Sequence, residues 1–201
     1  MKITSYEVLG KLPDPFIFED GRRVKSVEDW EERRKELIKP VVELQYGDLI
    51  PEPEFLEITP LTYPNTTGRM NIWRITSGTK ERPVSFSIYA HKPEGDGPWP
   101  VVIDGDLCYS CMQDPAIAQI FVDHGIMLVA FNRTEIVPDL RNPSRIGNLY
   151  GTYPELKFGA LAAWAWGYSR TLDALFELGM VDPTSVTFTG LSRGAKTAML
   201  A

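Results

Sequence analysis

The feature that most constrains this 201-residue chain is a Gly-x-Ser-x-Gly pentapeptide, Gly-Leu-Ser-Arg-Gly, at residues 190–194. It follows a short β-branched and aromatic stretch at 186–189, which is typical of a buried strand. A small, apolar stretch at 197–201 follows it and is typical of a packed helix. A serine at the apex of such a strand–turn–helix unit is a nucleophile elbow. We therefore predict that Ser192 is exposed at a helix N-terminus, where backbone N–H groups favour an oxyanion.

The two glycines of the pentapeptide have a mechanical reason in an elbow. We expect side chains at Gly190 and Gly194 to clash with the neighbouring strand and helix, because the turn is tight and strained. The alternative interpretation is a glycine-rich turn in which Ser192 caps the helix. The strand before the pentapeptide and the helix after it favour the elbow.

Composition indicates a globular protein and excludes several functional classes. Hydrophobic residues make up 43% of the chain, enough for a substantial core. The net charge of −6 argues against nucleic acid and anionic membrane surfaces as main partners. No run of 18 apolar residues occurs, so no transmembrane helix is expected. The first residues show no apolar signal-peptide core, which predicts a cytoplasmic location.

Cys108 and Cys111 are the only two cysteines and form a single Cys-x-x-Cys. A redox pair would need a thioredoxin-like context, and a zinc site would need further ligands nearby. We expect two reduced, partly buried thiols and no disulfide framework. The pair is accordingly not expected to hold a metal, and the chain is predicted to use no cofactor.

Residues 1–53 are predicted to form an N-terminal extension with one helix. The segment before Ser26 reads as irregular, and Ser26 followed by acidic residues is typical of a helix N-cap. We expect the helix to run to about Tyr46, with a kink or a break at Pro40. The mixed charge run at 31–36 is interpreted as a solvated helix face.

Residues 54–201 have the pattern of an α/β domain. Three extended runs, at 55–61, 70–76 and 84–90, predict antiparallel strands at one edge of a sheet. Two more apolar runs predict buried strands, at 99–103 and 126–132. The second of these is the most apolar and is expected to be central and parallel.

Two helices and one long loop complete the pattern. The helices are predicted at 115–123 and 158–178. The polar stretch at 133–153 follows the central strand, at the edge where α/β sheets bind ligands, so we expect it to be functional. This order, ending in an elbow, predicts a single truncated α/β-hydrolase domain over 1–201, with a mostly parallel central sheet, antiparallel edge strands and an N-terminal helical segment.

Four stretches of the chain carry a family resemblance. They are DGRRV at 20–24 with EDWEERR at 28–34, YG at 46–47 with Pro51, GALAAWAWG at 159–167 with Ser169, Arg170 and 173–175, and GLSRGAK at 190–196. With them the chain, from about residue 12 onward, resembles the glucuronoyl esterases, which are carbohydrate esterases. The resemblance implies a Ser–His–acid triad without a metal. It also implies cleavage of the ester between a glucuronic-acid carboxyl group of xylan and an alcohol, in nature a lignin alcohol.

The resemblance assigns roles to three residues. Ser192 would be the nucleophile, Arg193 would direct its guanidinium at the oxyanion, and Lys196 would bind sugar hydroxyls from one turn along the same helix. A solvated surface side chain is the alternative for Arg193 and for Lys196. The predicted function is a serine carboxylic-ester hydrolase that cleaves (4-O-methyl)glucuronic acid esters of xylan-derived saccharides through an acyl-enzyme.

The catalytic base is missing from this prediction. In α/β-hydrolases the serine precedes the acid and the histidine, but only nine residues follow Ser192. His91 and His124 both precede it and are expected to be structural, as are Trp164 and Trp166. We therefore expect the chain to be incomplete and inactive by itself, with the acid and the histidine in a C-terminal part absent from it.

Two other functions stay open at this point. One is a serine esterase with acetyl or peptide specificity, and the other is a non-catalytic carbohydrate-binding or scaffold module. The expected partner is a small-molecule or oligosaccharide uronate ester, with no nucleic acid and no membrane. For location the resemblance suggests a secreted or periplasmic protein, against the missing signal peptide.

Overall fold

The computed structural model describes residues 12–62, 70–109, 114–140 and 145–201. The chain divides into two compact units, Met1–Gln45 and Tyr46–Ala201. None of the helices in the described ranges has both the length and the hydropathy needed to cross a bilayer.

The first unit contains a capped helix. Helix α1, Val27–Ile38, begins after Ser26, whose hydroxyl accepts a hydrogen bond from the Asp29 N–H at 3.1 Å. At Pro40, which has no N–H and crowds the preceding turn, the helix continues as a π-helical turn, Lys39–Glu43, and then as α2, Leu44–Tyr46. The predicted cap is confirmed, and the α-helical geometry is interrupted at Pro40, where a kink or a break was predicted.

One prediction for the first unit was wrong. Within the charge run at 31–36, Arg33 is buried rather than solvated. Its guanidinium pairs with Glu36 at 2.6 Å and donates to the Pro15 carbonyl at 3.3 Å. The residue has a long-range partner, which a local charge pattern cannot reveal.

Among the described residues of the second unit, six strands form one mixed sheet, in the order β1-β2-β3-β5-β4-β6. The strands are β1 Phe55–Pro60, β2 Met70–Gly78, β3 Pro83–His91, β4 Trp99–Asp104, β5 Met127–Phe131 and β6 Val181–Thr189. β1, β2 and β3 are antiparallel to their neighbours, whereas β4 pairs in parallel with both β5 and β6. The predicted antiparallel edge is confirmed. The apolar strand β5 is central, but it is parallel only toward β4.

Four helices of the described ranges pack with this sheet. They are α3 Pro115–Asp123, α4 Asn148–Thr152, α5 Ala160–Glu177 and α6 Arg193–Leu200. Helix α3 has its predicted bounds, and α5 lies within the predicted range. Short 3₁₀ turns follow β4 at Leu107–Tyr109 and β5 at Arg133–Glu135.

Helix α5 supplies the part of the core that lies beside β5. A β-carbon on Gly167 would come within 2.8 Å of the Phe131 ring, so only glycine lets helix and strand approach this closely. Trp164 and Trp166 are buried, as expected for core residues, and the Trp164 indole N–H donates to the Val137 carbonyl at 2.9 Å. The Tyr168 ring packs edge-on against Phe131 at 5.0 Å. This close packing brings Tyr168 to the carboxyl ends of the parallel strands.

Candidate active site

The turn between β6 and α6 has the geometry of an elbow. Ser192 has φ 55° and ψ −108°, and it is the only non-glycine residue with a positive φ in the part of the chain that the structure describes. Such a conformation costs about 1–3 kcal/mol and persists only when its surroundings hold it. Ser192 is exposed, and its side chain makes no capping hydrogen bond to α6. The interpretation of Ser192 as a helix-capping serine is therefore wrong.

Close neighbours leave no room for a side chain at either glycine of the pentapeptide. A β-carbon on Gly190 would lie 2.7 Å from the carbonyl oxygen of Gly194, at the start of α6. A β-carbon on Gly194 would lie 2.6 Å from Oδ1 of Asp106. The expected clash with the helix is thus present at Gly190, whereas the neighbour of Gly194 is a carboxylate and not a strand.

Asp106 joins the loop after β4 to the elbow. Its side chain is 1% exposed. Its Oδ2 accepts the Leu191 N–H at 2.6 Å, and its Oδ1 accepts from the Arg133 guanidinium. Asp106 was not predicted to be a site residue, although Asp104 and Asp106 at the end of a buried strand are a visible signal in the sequence.

Arg133 and Asp139 extend this contact to Arg193. The Arg133 side chain is 2% exposed, lies 4.4 Å from the Trp164 ring centroid and donates to Asp139 Oδ2 at 3.2 Å. Asp139 is 6% exposed at its side chain and also accepts from the Arg193 guanidinium and from the Tyr109 hydroxyl, the latter at 2.9 Å. Arg193, although 49% exposed, is thus paired and not merely solvated.

The polar stretch after β5 lies at the carboxyl ends of the parallel strands, as predicted, and contacts the elbow. It supplies both Arg133, which begins the 3₁₀ turn at the carboxyl end of β5, and Asp139, which follows that turn. Residues 141–144 of the stretch lie outside the described residues. The individual importance of Arg133 and Asp139 was not predicted.

Lys196 lies on α6 one turn after Ser192, as predicted, and is exposed. Its backbone carbonyl accepts a hydrogen bond from the Tyr46 hydroxyl at 2.9 Å. The described ranges provide no carboxylate that pairs with its ammonium group. The position therefore suits both a sugar-binding lysine and a solvated one.

Tyr168 connects the two strand ends that flank the site. Its hydroxyl accepts the Gly105 N–H at 2.8 Å and donates to the Thr189 carbonyl at 2.7 Å. Burial raises the pKa of this phenol well above its usual range, so the hydroxyl keeps its proton and remains a donor. The loop after β4 and the end of β6 are thereby held together.

Asp104 is a buried acid behind the same loop. Its Oδ1 accepts the Asp106 N–H at 3.2 Å, and its Oδ2 has no hydrogen-bond partner among the described residues. Burial raises the pKa of Asp104 to about 6, although the Arg133 guanidinium acts in the opposite direction. This carboxyl group therefore holds its proton to a higher pH than an ordinary aspartate.

The two histidines lie near the amino end of the central strand β5, whereas Ser192 lies beyond the carboxyl ends of the parallel strands. His91 ends β3 and pairs with Leu128 near the start of β5, and His124 follows α3 directly before β5. Ser192 follows the carboxyl end of β6, which runs parallel to β4 and hence to β5. Burial lowers the pKa of His91, and the His124 ring nitrogen Nδ1 lies 2.8 Å from the Ile120 carbonyl of its own helix. These environments agree with the structural roles expected for both.

The cysteine pair is described only in part. Cys108 is half-buried in the 3₁₀ turn after β4, and Cys111 lies outside the described residues. Within the described ranges, no group of three or more His, Cys, Asp or Glu side chains is arranged to hold a metal ion.

Comparisons with known proteins find relatives along nearly the whole chain. A family model for fungal glucuronyl esterases matches residues 75–201. The 4-O-methyl-glucuronoyl methylesterase 1 of Wolfiporia cocos is 32% identical over 201 residues, which is 95% of this chain and 45% of that protein. The corresponding methylesterase of Podospora anserina is also 32% identical, over 96% of this chain and 38% of that protein. The chain thus spans less than half the length of these two relatives.

Solved structures give the same result. A glucuronoyl esterase of carbohydrate esterase family 15 from Caldicellulosiruptor kristjansonii superposes with a TM-score of 0.73 at 27% identity, over 95% of this chain and 52% of that one. The glucuronoyl esterase catalytic domain from Hypocrea jecorina superposes with a TM-score of 0.70 at 30% identity, over 95% of this chain and 49% of that one. A serine-to-alanine mutant of the Sporotrichum thermophile esterase, solved with methyl 4-O-methyl-β-D-glucopyranuronate, gives 0.69 at 27% identity, over 94% of this chain and 48% of that one.

Proposed function

This chain belongs to the glucuronoyl esterase family and has its α/β-hydrolase-like fold, and we propose that it carries the nucleophile of a serine esterase acting on 4-O-methylglucuronic acid esters. The proposal rests on one structural feature. An exposed Ser192 with a positive φ is followed directly by Arg193, whose guanidinium is held by Asp139. The relatives are named as enzymes for the same ester class, which supports this choice of substrate.

In the proposed reaction, Ser192 Oγ attacks the carbonyl carbon of the uronate ester and transfers its proton to a base. The carbonyl oxygen becomes an oxyanion, to which the Arg193 guanidinium and the N–H groups at the start of α6 donate. When the tetrahedral intermediate collapses, the bond to the alcohol breaks and the alcohol leaves with the proton. Water then attacks the acyl-enzyme and releases the uronic acid and Ser192.

We assign substrate positioning to Lys196. The ammonium group has no competing carboxylate in the described ranges and lies on the same helix as Ser192 and Arg193, so it is available to sugar hydroxyls. The ligand solved with the Sporotrichum thermophile relative is a methyl ester of this sugar acid, which fits the assignment.

We further propose that the base and its orienting acid come from outside these 201 residues. His91 and His124 are the two histidines of the chain, and both lie near the amino end of β5, at the end of the sheet opposite to Ser192. The relatives are more than twice as long as the part of them matched here, which leaves ample chain for a triad.

The test is hydrolysis of methyl 4-O-methylglucuronate by the complete gene product that carries this chain, with p-nitrophenyl acetate as the comparison ester. We expect efficient hydrolysis of the uronate ester and a loss of about 10⁴-fold or more in kcat for Ser192→Ala. Ser169→Ala, on α5, is the matched control and should keep full activity. The 201-residue chain by itself should hydrolyse neither ester.

Three outcomes would contradict the proposal. Equal or better turnover of p-nitrophenyl acetate would favour a serine esterase of other specificity. Binding of xylo-oligosaccharides without hydrolysis of any ester would favour a non-catalytic module. Hydrolysis by the 201-residue chain, abolished by Ser192→Ala, would place the base within it.

A further inference from the structure

The two neighbours of Ser192 are held by one continuous chain of charged contacts. The Leu191 N–H donates to Asp106, Asp106 accepts from Arg133, Arg133 donates to Asp139, and Asp139 accepts from Arg193. We call Asp106, Arg133, Asp139 and Arg193 the charge chain. It starts beside Ser192 on one side and returns to it on the other.

The charge chain is buried except at its end on Arg193. Charged groups are costly to bury unless they are paired and hydrogen-bonded. Here two carboxylates alternate with two guanidinium groups, so each buried charge has an opposite neighbour. Asp139 has three donors, from Arg133, Arg193 and Tyr109, which define its position closely.

This arrangement restricts the conformations of the Arg193 side chain. An arginine that is half exposed samples many rotamers, and a mobile guanidinium contributes little to an oxyanion because it must be ordered during the reaction. Asp139 engages Nη1 of Arg193 and leaves the remaining N–H donors for another acceptor. The guanidinium can thus be oriented before substrate arrives.

We propose that Asp139 is a positioning residue that holds the Arg193 guanidinium beside Ser192, and that Asp106 and Arg133 extend the same restraint to Leu191. This inference rests on the proposed function, because the orientation of Arg193 matters for catalysis only if an ester reacts at Ser192. The restraint also explains how Ser192 is kept at a positive φ. Both of its neighbours are fixed by the charge chain.

The test uses Asp139→Asn in the complete gene product, with Asp139→Glu as the conservative variant. Asp173→Asn is the matched control, since it also removes a carboxylate that pairs with a buried arginine, Arg170, at 2.6 Å. We expect kcat on the uronate ester to fall about 100-fold for Asp139→Asn, as for a misplaced reactive group, with KM nearly unchanged. Asp139→Glu should recover part of this loss in kcat. The control, Asp173→Asn, should have the kcat of the wild type.

A double-mutant cycle with Arg193→Gln separates positioning from a general effect on folding. If Asp139 acts through Arg193, then Asp139→Asn costs almost nothing further once Arg193 is replaced. Fully additive losses would overturn the proposal. If Asp139→Asn does not fold, Tyr109→Phe replaces it in the same cycle, because Tyr109 is exposed and donates to Asp139. The expected loss is then smaller and disappears in the Arg193→Gln background.

Crystal structures of the wild type, Asp139→Asn and Asp173→Asn give a readout that does not need activity. We expect the Arg193 guanidinium to leave its position only in Asp139→Asn. An unchanged, ordered Arg193 in that variant would refute the positioning role. A wild type that hydrolyses no uronate ester but shows the displaced Arg193 in Asp139→Asn would instead refute the proposed function and leave the positioning role standing.

Discussion

The carboxylate of Asp106 fills the space beside Gly194 that any larger residue would need. A β-carbon on Gly194 would come within 2.6 Å of Oδ1, and the other oxygen, Oδ2, already accepts the Leu191 N–H at 2.6 Å. The second glycine of the pentapeptide is therefore required by an acidic residue 88 positions earlier in the sequence. The motif and the loop after β4 form one structural unit.

Gly194→Ala should displace Asp106 and disturb the elbow. We expect a loss of about 1–3 kcal/mol in the free energy of unfolding, as for other overpacked sites, together with reduced esterase activity. Urea denaturation and uronate ester kinetics measure the two effects. Gly151→Ala, on α4, is the control because a β-carbon there meets nothing within 4 Å. Equal effects of the two substitutions would show that Asp106 can move aside freely.

Tyr168→Phe should destabilise the protein by about 3 kcal/mol, because it leaves the buried Gly105 N–H and the half-buried Thr189 carbonyl without their shared partner. The measurement is urea denaturation. Tyr153→Phe provides the contrast, since the Tyr153 hydroxyl is buried and has no hydrogen-bond partner among the described residues. That substitution should leave the free energy of unfolding unchanged or raise it. The reverse order of the two variants would contradict the bridging role of Tyr168.

Asp104 should make stability depend on pH. Burial raises the pKa of Asp104 from 3.8 to about 6, so between those values the native state retains a proton that the unfolded chain releases. The free energy of unfolding therefore falls as pH rises through this interval, by at most on the order of 3 kcal/mol from this residue. Asp104→Asn cannot ionise, so its free energy of unfolding should fall less between about pH 4 and pH 7.

Denaturation of wild type and variant at both pH values measures this difference. Asp182→Asn is a control of opposite sign, because hydrogen bonds from Thr184 lower the pKa of Asp182. That carboxylate stabilises the native state above its unfolded pKa, and the contribution is lost as pH falls. An Asp104→Asn variant with the wild-type pH profile would contradict the assignment.

Lys196→Met should weaken binding of the sugar without slowing the chemistry. We expect KM for the uronate ester to rise about 10-fold with kcat nearly unchanged, as for the loss of one charge-assisted hydrogen bond. Hydrolysis of p-nitrophenyl acetate, which has no sugar hydroxyls, should be unaffected. Lys80→Met, in the turn after β2, is the matched exposed lysine and should change neither constant. An unchanged KM for Lys196→Met would mean that this lysine is only solvated.

Sequence reasoning succeeded where structure follows from local pattern. The antiparallel strands, helix α3, the cap at Ser26 and the strand–turn–helix around Ser192 all depend on residues within a few positions of one another. The first glycine of Gly-x-Ser-x-Gly could also be interpreted locally, because the close approach of α6 requires Gly190, whereas the contact of Gly194 with Asp106 could not be predicted.

The rest of the site could not be predicted in this way, because its partners are joined by topology. Arg133 lies 27 residues from Asp106, and Asp139 lies 54 residues from Arg193. They meet because β4, β5 and β6 are adjacent and parallel, so that the loops after them converge at one edge. An arginine directly after the most apolar strand was a signal, but its partner could not be chosen from several nearby acids. The same limit led to the wrong interpretation of Arg33.

One end of the charge chain, Asp106, accepts the Leu191 N–H, and the other end is Arg193, two residues after Leu191 on the backbone, so the charge chain and the elbow together form a closed ring. Substitution of a single member of this ring should be disfavoured during evolution. Replacement of Arg133 would leave two buried carboxylates facing each other, and replacement of Asp139 would leave two guanidinium groups without the anion between them. The four positions should therefore covary among homologues despite their distance in sequence. The ring as a whole should then be retained at this site, and the pentapeptide is the part of it that a sequence motif detects.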